Sequence, residues 1–182
     1  MTYGKEQLLS TLRKIDEEAS LALGETSPLL PVIIVGGSAF LLHDLTKRPT
    51  THDIDILSCH KALRPILSNY RTVNGAVAAY MDQIPYNFED RLIPVEIETK
   101  TVEFLTPSIE DLAIMKLYGW RPNDQEDLES PDFLERVNWP LLDKLVYDPD
   151  EAKASALSPR RYREMASIYE EYARKHGHEP NA

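Results

Sequence analysis

In the run His52-Asp53-Ile54-Asp55-Ile56-Leu57, Asp53 and Asp55 are the residues whose type and spacing point most directly to chemistry. Side chains alternate along a strand, so the two carboxylates share one face, about 7 Å apart at their Cα atoms, while Ile54 and Ile56 turn to the other. Like charges held that close call for a metal, a basic partner or a raised pKa. The triplet alone is common on surface strands. Here Ile54, Ile56 and Leu57 mark a core strand, where paired acids are not free decoration. Upstream, the apolar run Val32 to Val35 leads into Gly36, Gly37 and Ser38. Two glycines let a ligand approach the backbone with no Cβ in the way, and a serine at a helix start adds a hydroxyl beside exposed amides. Such a turn suits a triphosphate; it equally serves as a plain strand-to-helix connection.

These groups need elements to carry them. Leu8, Leu9, Leu12, Ile15, Ala19 and Leu23 recur at helical spacing, which predicts an amphipathic helix over Lys5 to Leu23 with Gly24 as its stop. Val32 to Val35 reads as a central strand buried on both faces, Ser38 to Asp44 as a short helix, Thr46 to His52 as a loop and Asp53 to Leu57 as a second strand. Ala62, Leu63, Ile66, Leu67 and Tyr70 predict another helix. Residues from Arg71 to Asp90 carry no clear period. Arg91 to Glu98 alternates, with Pro94 arguing for an edge strand or a bulge, and Thr101 to Leu105 reads as a further strand. From Pro107 onward the chain looks helical. Ser108 and Asp111 open one helix, and Ser158 with Pro159 opens the last, which places Tyr162, Met165, Ile168, Tyr169 and Tyr172 on one face.

Composition narrows the function classes. The chain has 182 residues, enough for one full core or for a small domain with a helical appendage. Its formal net charge of −10 repels nucleic acid overall. Lys47 with Arg48, and Arg160, Arg161 and Arg163, are the local basic exceptions, the last three reading as solvated residues of a helix's first turn. The charged N-terminal stretch and the absence of a long apolar run argue against secretion and membrane insertion. Cys59 stands alone and suits a reducing, cytoplasmic setting, where its simplest role is that of a small buried hydrophobe.

Gly36-Gly37-Ser38 followed by Asp53-Ile54-Asp55 resembles the signature of the nucleotidyltransferase superfamily related to DNA polymerase beta. The chain is most similar to the bacterial branch of abortive-infection toxins and uncharacterised nucleotidyltransferase-like proteins. Arg48 and Thr51 ahead of the aspartates, and Lys116, Arg121, Asp124 and Asp127 in the later helical segment, extend the resemblance over about Val32 to Leu128. The interval between the glycine turn and Asp53 is longer than usual for that superfamily. The resemblance implies an α/β fold: a small mixed sheet flanked by helices in residues 1–106, and a helical C-terminal region in 107–182. It further implies a nucleoside triphosphate as substrate, with Mg²⁺ in a one- or two-metal site held by Asp53, Asp55 and a third carboxylate. Glu96 is the first choice for the third and Glu103 the second. Gly36, Gly37, Ser38, Arg48, Lys116 and Arg121 would bind the nucleotide. The acceptor, whether RNA, protein or small molecule, is left open. An alternative is a nucleotidyltransferase-like interaction protein without turnover, one half of a toxin–antitoxin or defence pair.

Lys116 is also singled out by pattern. It falls within the apolar stripe of Ile109, Leu112, Ala113 and Leu117. Such a lysine either snorkels to water or reaches phosphate or carboxylate across the sheet.

Overall fold

The computed structural model describes residues 2–181. In chain order these form α1 (Lys5–Leu23), β1 (Leu30–Val35), α2 (Gly36–Leu42), β2 (Ile54–Cys59), α3 (Arg64–Leu67), β3 (Val73–Asn74), β4 (Ile93–Pro94), β5 (Val102–Thr106), α4 (Ile109–Gly119), α5 (Pro122–Leu128), α6 (Pro131–Arg136), α7 (Trp139–Tyr147), α8 (Ala152–Ser155) and α9 (Pro159–Lys175), with short 3₁₀ segments between α2 and β5. The fold is mixed α/β with a helical C-terminal region. Its contacts fall into two compact units. One comprises the chain up to Asp44 with Arg48–Ala79 and Leu92–Thr106; the other comprises Leu45–Lys47, Tyr80–Arg91 and the chain from Pro107 onward. Among the described residues no helix is long and apolar enough to cross a membrane.

The first unit is built on a five-stranded sheet in the order β3-β2-β1-β5-β4. β1 lies at its centre, antiparallel to β2 and parallel to β5, as the β-branched run Val32 to Val35 predicts; all four side chains are buried. Each such burial is worth about 1.5–3 kcal/mol relative to exposure. α1 turns Leu8, Leu12, Ile15 and Ala19 inward. On the same face Asp16 is buried, and its carboxylate accepts the backbone N–H groups of Lys100, Thr101 and Val102 at 2.8–2.9 Å. These amides lead into β5, so the acid fastens the helix to the start of that strand.

The alternation of residues 91–98 gives less sheet than it predicts. Only Ile93 and Pro94 pair with β5, followed by one bond from Val95 N–H to the Phe104 carbonyl. Proline has no N–H to donate, and the Ile97 amide turns back onto Val95. β4 is an edge strand, as Pro94 suggested, and Glu96 to Lys100 are irregular.

In the second unit α4 packs against α5, α7 and α9. The Ser108 hydroxyl caps it by accepting the Asp111 N–H. The Asp111 carboxylate accepts the Ser108 hydroxyl and two bonds from Arg91, which also grips Glu151 through two nitrogens. α9 starts at Ser158 and Pro159 and buries Met165, Ala166, Tyr169, Tyr172 and Ala173. Tyr169 donates its hydroxyl to Asp143, and Tyr172 to the Leu128 carbonyl. Burial first, and for Tyr169 the Asp143 carboxylate as well, pushes both phenols far above the usual tyrosine range.

Candidate functional site

β1 ends at Val35, and α2 begins at once with Gly36 at φ +67°. That conformation strains any side chain with a Cβ. Space is a second constraint, because a Cβ on Gly36 would lie 2.3 Å from Asp55 Oδ2. The Asp55 carboxylate is therefore seated directly against the glycine backbone. On Gly37 a Cβ would meet Arg48 Nη2 at 3.3 Å and Thr51 Oγ1 at 3.5 Å. One glycine thus faces an acid, and the next faces a guanidinium with a threonine hydroxyl beside it.

Ser38 is completely buried. Its hydroxyl donates to the Val35 carbonyl at 2.8 Å and accepts the Asp55 N–H at 3.3 Å. It ties the glycine turn to the aspartate strand. Val35 pairs with Asp55 and Ile34 with Ile56, but the register then slips so that Ile33 pairs with Ser58. Leu57 is the extra residue, and this bulge two positions past Asp55 re-aims the strand at that end. Asp53 stands one residue before β2, half-buried like Asp55, while Ile54 and Ile56 are buried. The Thr51 hydroxyl donates to the Asp53 carbonyl at 3.2 Å and braces the approach to the strand.

Asn74 is the residue that sequence reading missed. β3 runs parallel to β2 with Asn74 opposite Asp55, and Asn74 Nδ2 donates to Asp55 Oδ1 at 2.9 Å. Its own Oδ1 accepts the Ala76 N–H, which fixes the amide's orientation. The one signal was Asn74-Gly75, a turn dipeptide in a stretch without a hydrophobic period.

The structure does not bring Glu96 to the aspartate pair. Glu96 lies exposed beyond β4, three strand spacings from β2, which is roughly 14 Å laterally. The register runs away from the pair as well. Val95 bonds to Phe104, Phe104 aligns with Val32, and Val32 aligns with Cys59, four residues along β2 from Asp55. Glu103 aligns with Pro31, one step further away. Among the described residues no group of three or more His, Cys, Asp or Glu side chains is arranged to hold a metal ion.

Lys116 belongs to the second unit and is buried. Its ammonium does not snorkel to water; it contacts Asp124 Oδ1 at 2.8 Å and Asp127 Oδ2 at 2.9 Å. Asp124 also receives the backbone N–H and Nε of Arg121, whose side chain is otherwise exposed. Burial opposes ionisation of Asp124, but the Arg121 hydrogen bond and the Lys116 charge outweigh it and hold the carboxyl below its ordinary range. A Cβ on Gly119 would come within 2.5 Å of Asp124 Oδ2, so this glycine gives the acid room. Asp127 accepts in addition the hydroxyl of Thr46, from the loop that follows α2. The four charged residues read together from the later segment thus form one cluster.

No curated protein and no solved structure matches the chain. A family model described as "Nucleotidyltransferase of unknown function (DUF6036)" matches residues 10–176, which takes in the glycine turn, the aspartate pair and the Lys116 cluster. With that span covering nearly its whole length, the chain belongs to this nucleotidyltransferase family.

Proposed function

We propose that the chain transfers a nucleotidyl group from a nucleoside triphosphate, with Mg²⁺, to an acceptor that carries a nucleophilic hydroxyl or equivalent group, the acceptor losing its proton as it bonds to the α-phosphorus and pyrophosphate leaving as the α–β phosphoanhydride bond breaks. The observation that carries this reading is the seating of Asp55 against Gly36, with Arg48 over Gly37 on the same turn. A side chain at either glycine would crowd an acid or a base, so the turn keeps both charges next to bare backbone. Mg²⁺ is commonly held by one or two carboxylates together with waters and substrate phosphates rather than by a complete protein cage. Asp53 and Asp55 fit that requirement without a third acid, and the Gly36 and Gly37 backbone with Arg48 fits the phosphates. The bound ion would supply charge neutralisation and in-line alignment. The protein's own contribution is positional: Ser38 and the β2 bulge fix Asp55, Asn74 orients its second oxygen, and Thr51 braces Asp53.

The test is transfer of label from α-phosphate-labelled nucleoside triphosphates to RNA, protein and small-molecule fractions in the presence of Mg²⁺. Label retained by an acceptor with the wild-type chain and lost with Asp53→Ala/Asp55→Ala supports the reading. Equal labelling by both proteins contradicts it.

A second reading, a nucleotidyltransferase-like interaction protein of a toxin–antitoxin or defence pair that has lost turnover, is favoured by the lack, among the described residues, of a third acid grouped with Asp53 and Asp55. Triphosphate binding without any transfer would select it.

A further inference from the structure

The stretch from Tyr80 to Asp90 carried no sequence period, and the proposed chemistry makes no use of it. We propose that it forms a docking surface for a basic, apolar linear segment of a partner protein. Three of the large apolar side chains exposed in the second unit lie here: Tyr86 at 69%, Tyr80 at 47% and Met81 at 43%. Met81 and Tyr86 border a cavity of about 310 Å³ whose wall includes Ile84, Pro85 and Phe88, all buried. Glu89 and Asp90 border the same cavity and are exposed.

The surface is held in place from beneath. Arg91 is clamped by Asp111 and Glu151. Asn87 donates its side-chain amide to the Asp150 carbonyl at 3.1 Å, and the Tyr86 N–H reaches the Glu151 carbonyl. A preformed apolar recess with few ordering costs is what a short segment needs to bind with useful affinity.

Charge selects the occupant. Residues 80–90 contain Asp82, Glu89 and Asp90 and no Lys or Arg, and the next base, Arg91, is consumed by two carboxylates. RNA would bring phosphates to an acidic rim. A second copy would bring another chain of net charge −10. A segment carrying Arg or Lys beside one or two large apolar residues satisfies both halves: the apolar group fills the recess, and the bases meet the rim.

The probe is a random 12-residue peptide display library, selected on the full-length protein and counter-selected on Met81→Ser/Tyr86→Ser. Both substitutions are at exposed positions and should leave the melting temperature unchanged. A second variant, Glu89→Lys/Asp90→Lys, alters only the rim charge. Enriched peptides should pair Arg or Lys with Leu, Ile, Phe or Trp. A synthetic copy should lose at least tenfold in affinity to each variant, measured by fluorescence anisotropy. Four results would overturn the proposal: no enrichment over the counter-selected variant, enrichment of acidic sequences, affinity unchanged by either variant, or a dimer in solution that Met81→Ser/Tyr86→Ser dissociates.

Discussion

At the residue scale, Gly36 and Asp55 occupy space that only one side chain can share. Gly36→Ala places a methyl group 2.3 Å from a carboxylate oxygen at a backbone φ of +67°. The strained conformation costs about 1–2 kcal/mol and the overpacking about 1–3 kcal/mol, so the variant should lose roughly 2–5 kcal/mol in denaturant unfolding. Because part of the cost is the clash with Asp55, adding Asp55→Ala should restore some of the loss, a non-additivity that a double-mutant cycle reads directly. Strictly additive losses would mean that the carboxylate moves aside freely. Asn74→Ala tests the other oxygen. Removing the donor that orients a ligating carboxylate typically weakens a metal about 10–100-fold, so Mg²⁺ titration in the presence of triphosphate should show a loss in that range with the fold intact. An unchanged Mg²⁺ affinity would confine Asn74 to joining β3 to β2. The triplet that drew attention to Asp55 was legible because strand alternation is a strict period. Asn74 was not, because its partner lies nineteen residues away across a ladder of only two pairs.

At the scale of elements, the α4–α5 pair depends on a buried ammonium. Lys116 looked out of pattern on an apolar stripe, and helical spacing does place it facing inward; what spacing does not convey is that Asp124 and Asp127 arrive from the next helix to receive it. A charge-removing substitution, harmless for a lysine over a solvent cleft, here strands two buried acids. Breaking a buried pair by removing one partner costs about 3–5 kcal/mol, and Lys116→Met should fall in that range near neutral pH. The folded-state pKa of Asp124 is depressed, so its stabilisation is full above the ordinary carboxylate value and is lost as pH falls through the lower folded value. The gap between wild type and Lys116→Met should therefore narrow below about pH 4, and Lys116→Met/Asp124→Asn/Asp127→Asn should recover much of the loss. A Lys116→Met protein as stable as wild type at pH 7 would contradict this account of the cluster. The long helices were readable from period and caps, α1 at both ends and α4 and α9 at their starts. Glu96 was misplaced for the opposite reason, since the alternation of Ile93, Val95 and Ile97 suggested a strand that Pro94 and the turned-back Ile97 amide cut short.

At the scale of the whole molecule, the proposed function rests on one central claim, that Mg²⁺ and a nucleoside triphosphate would bind together at the Gly36–Asp55 turn. The chain's net charge of −10 disfavours an anionic ligand at long range, so Arg48 and the metal must overcome it locally, and binding should depend strongly on the divalent ion. The most direct measurement is thermal unfolding with triphosphate and Mg²⁺ together, each alone, and in Asp53→Ala/Asp55→Ala. A ligand specific to the folded state adds about 2.7 kcal/mol at a hundred times its dissociation constant, equivalent to about 5–10 °C for a chain of this size. That rise is expected only with both ligands and only in the wild-type protein; the same rise in the double variant, or with triphosphate in the absence of Mg²⁺, would contradict joint binding at this turn.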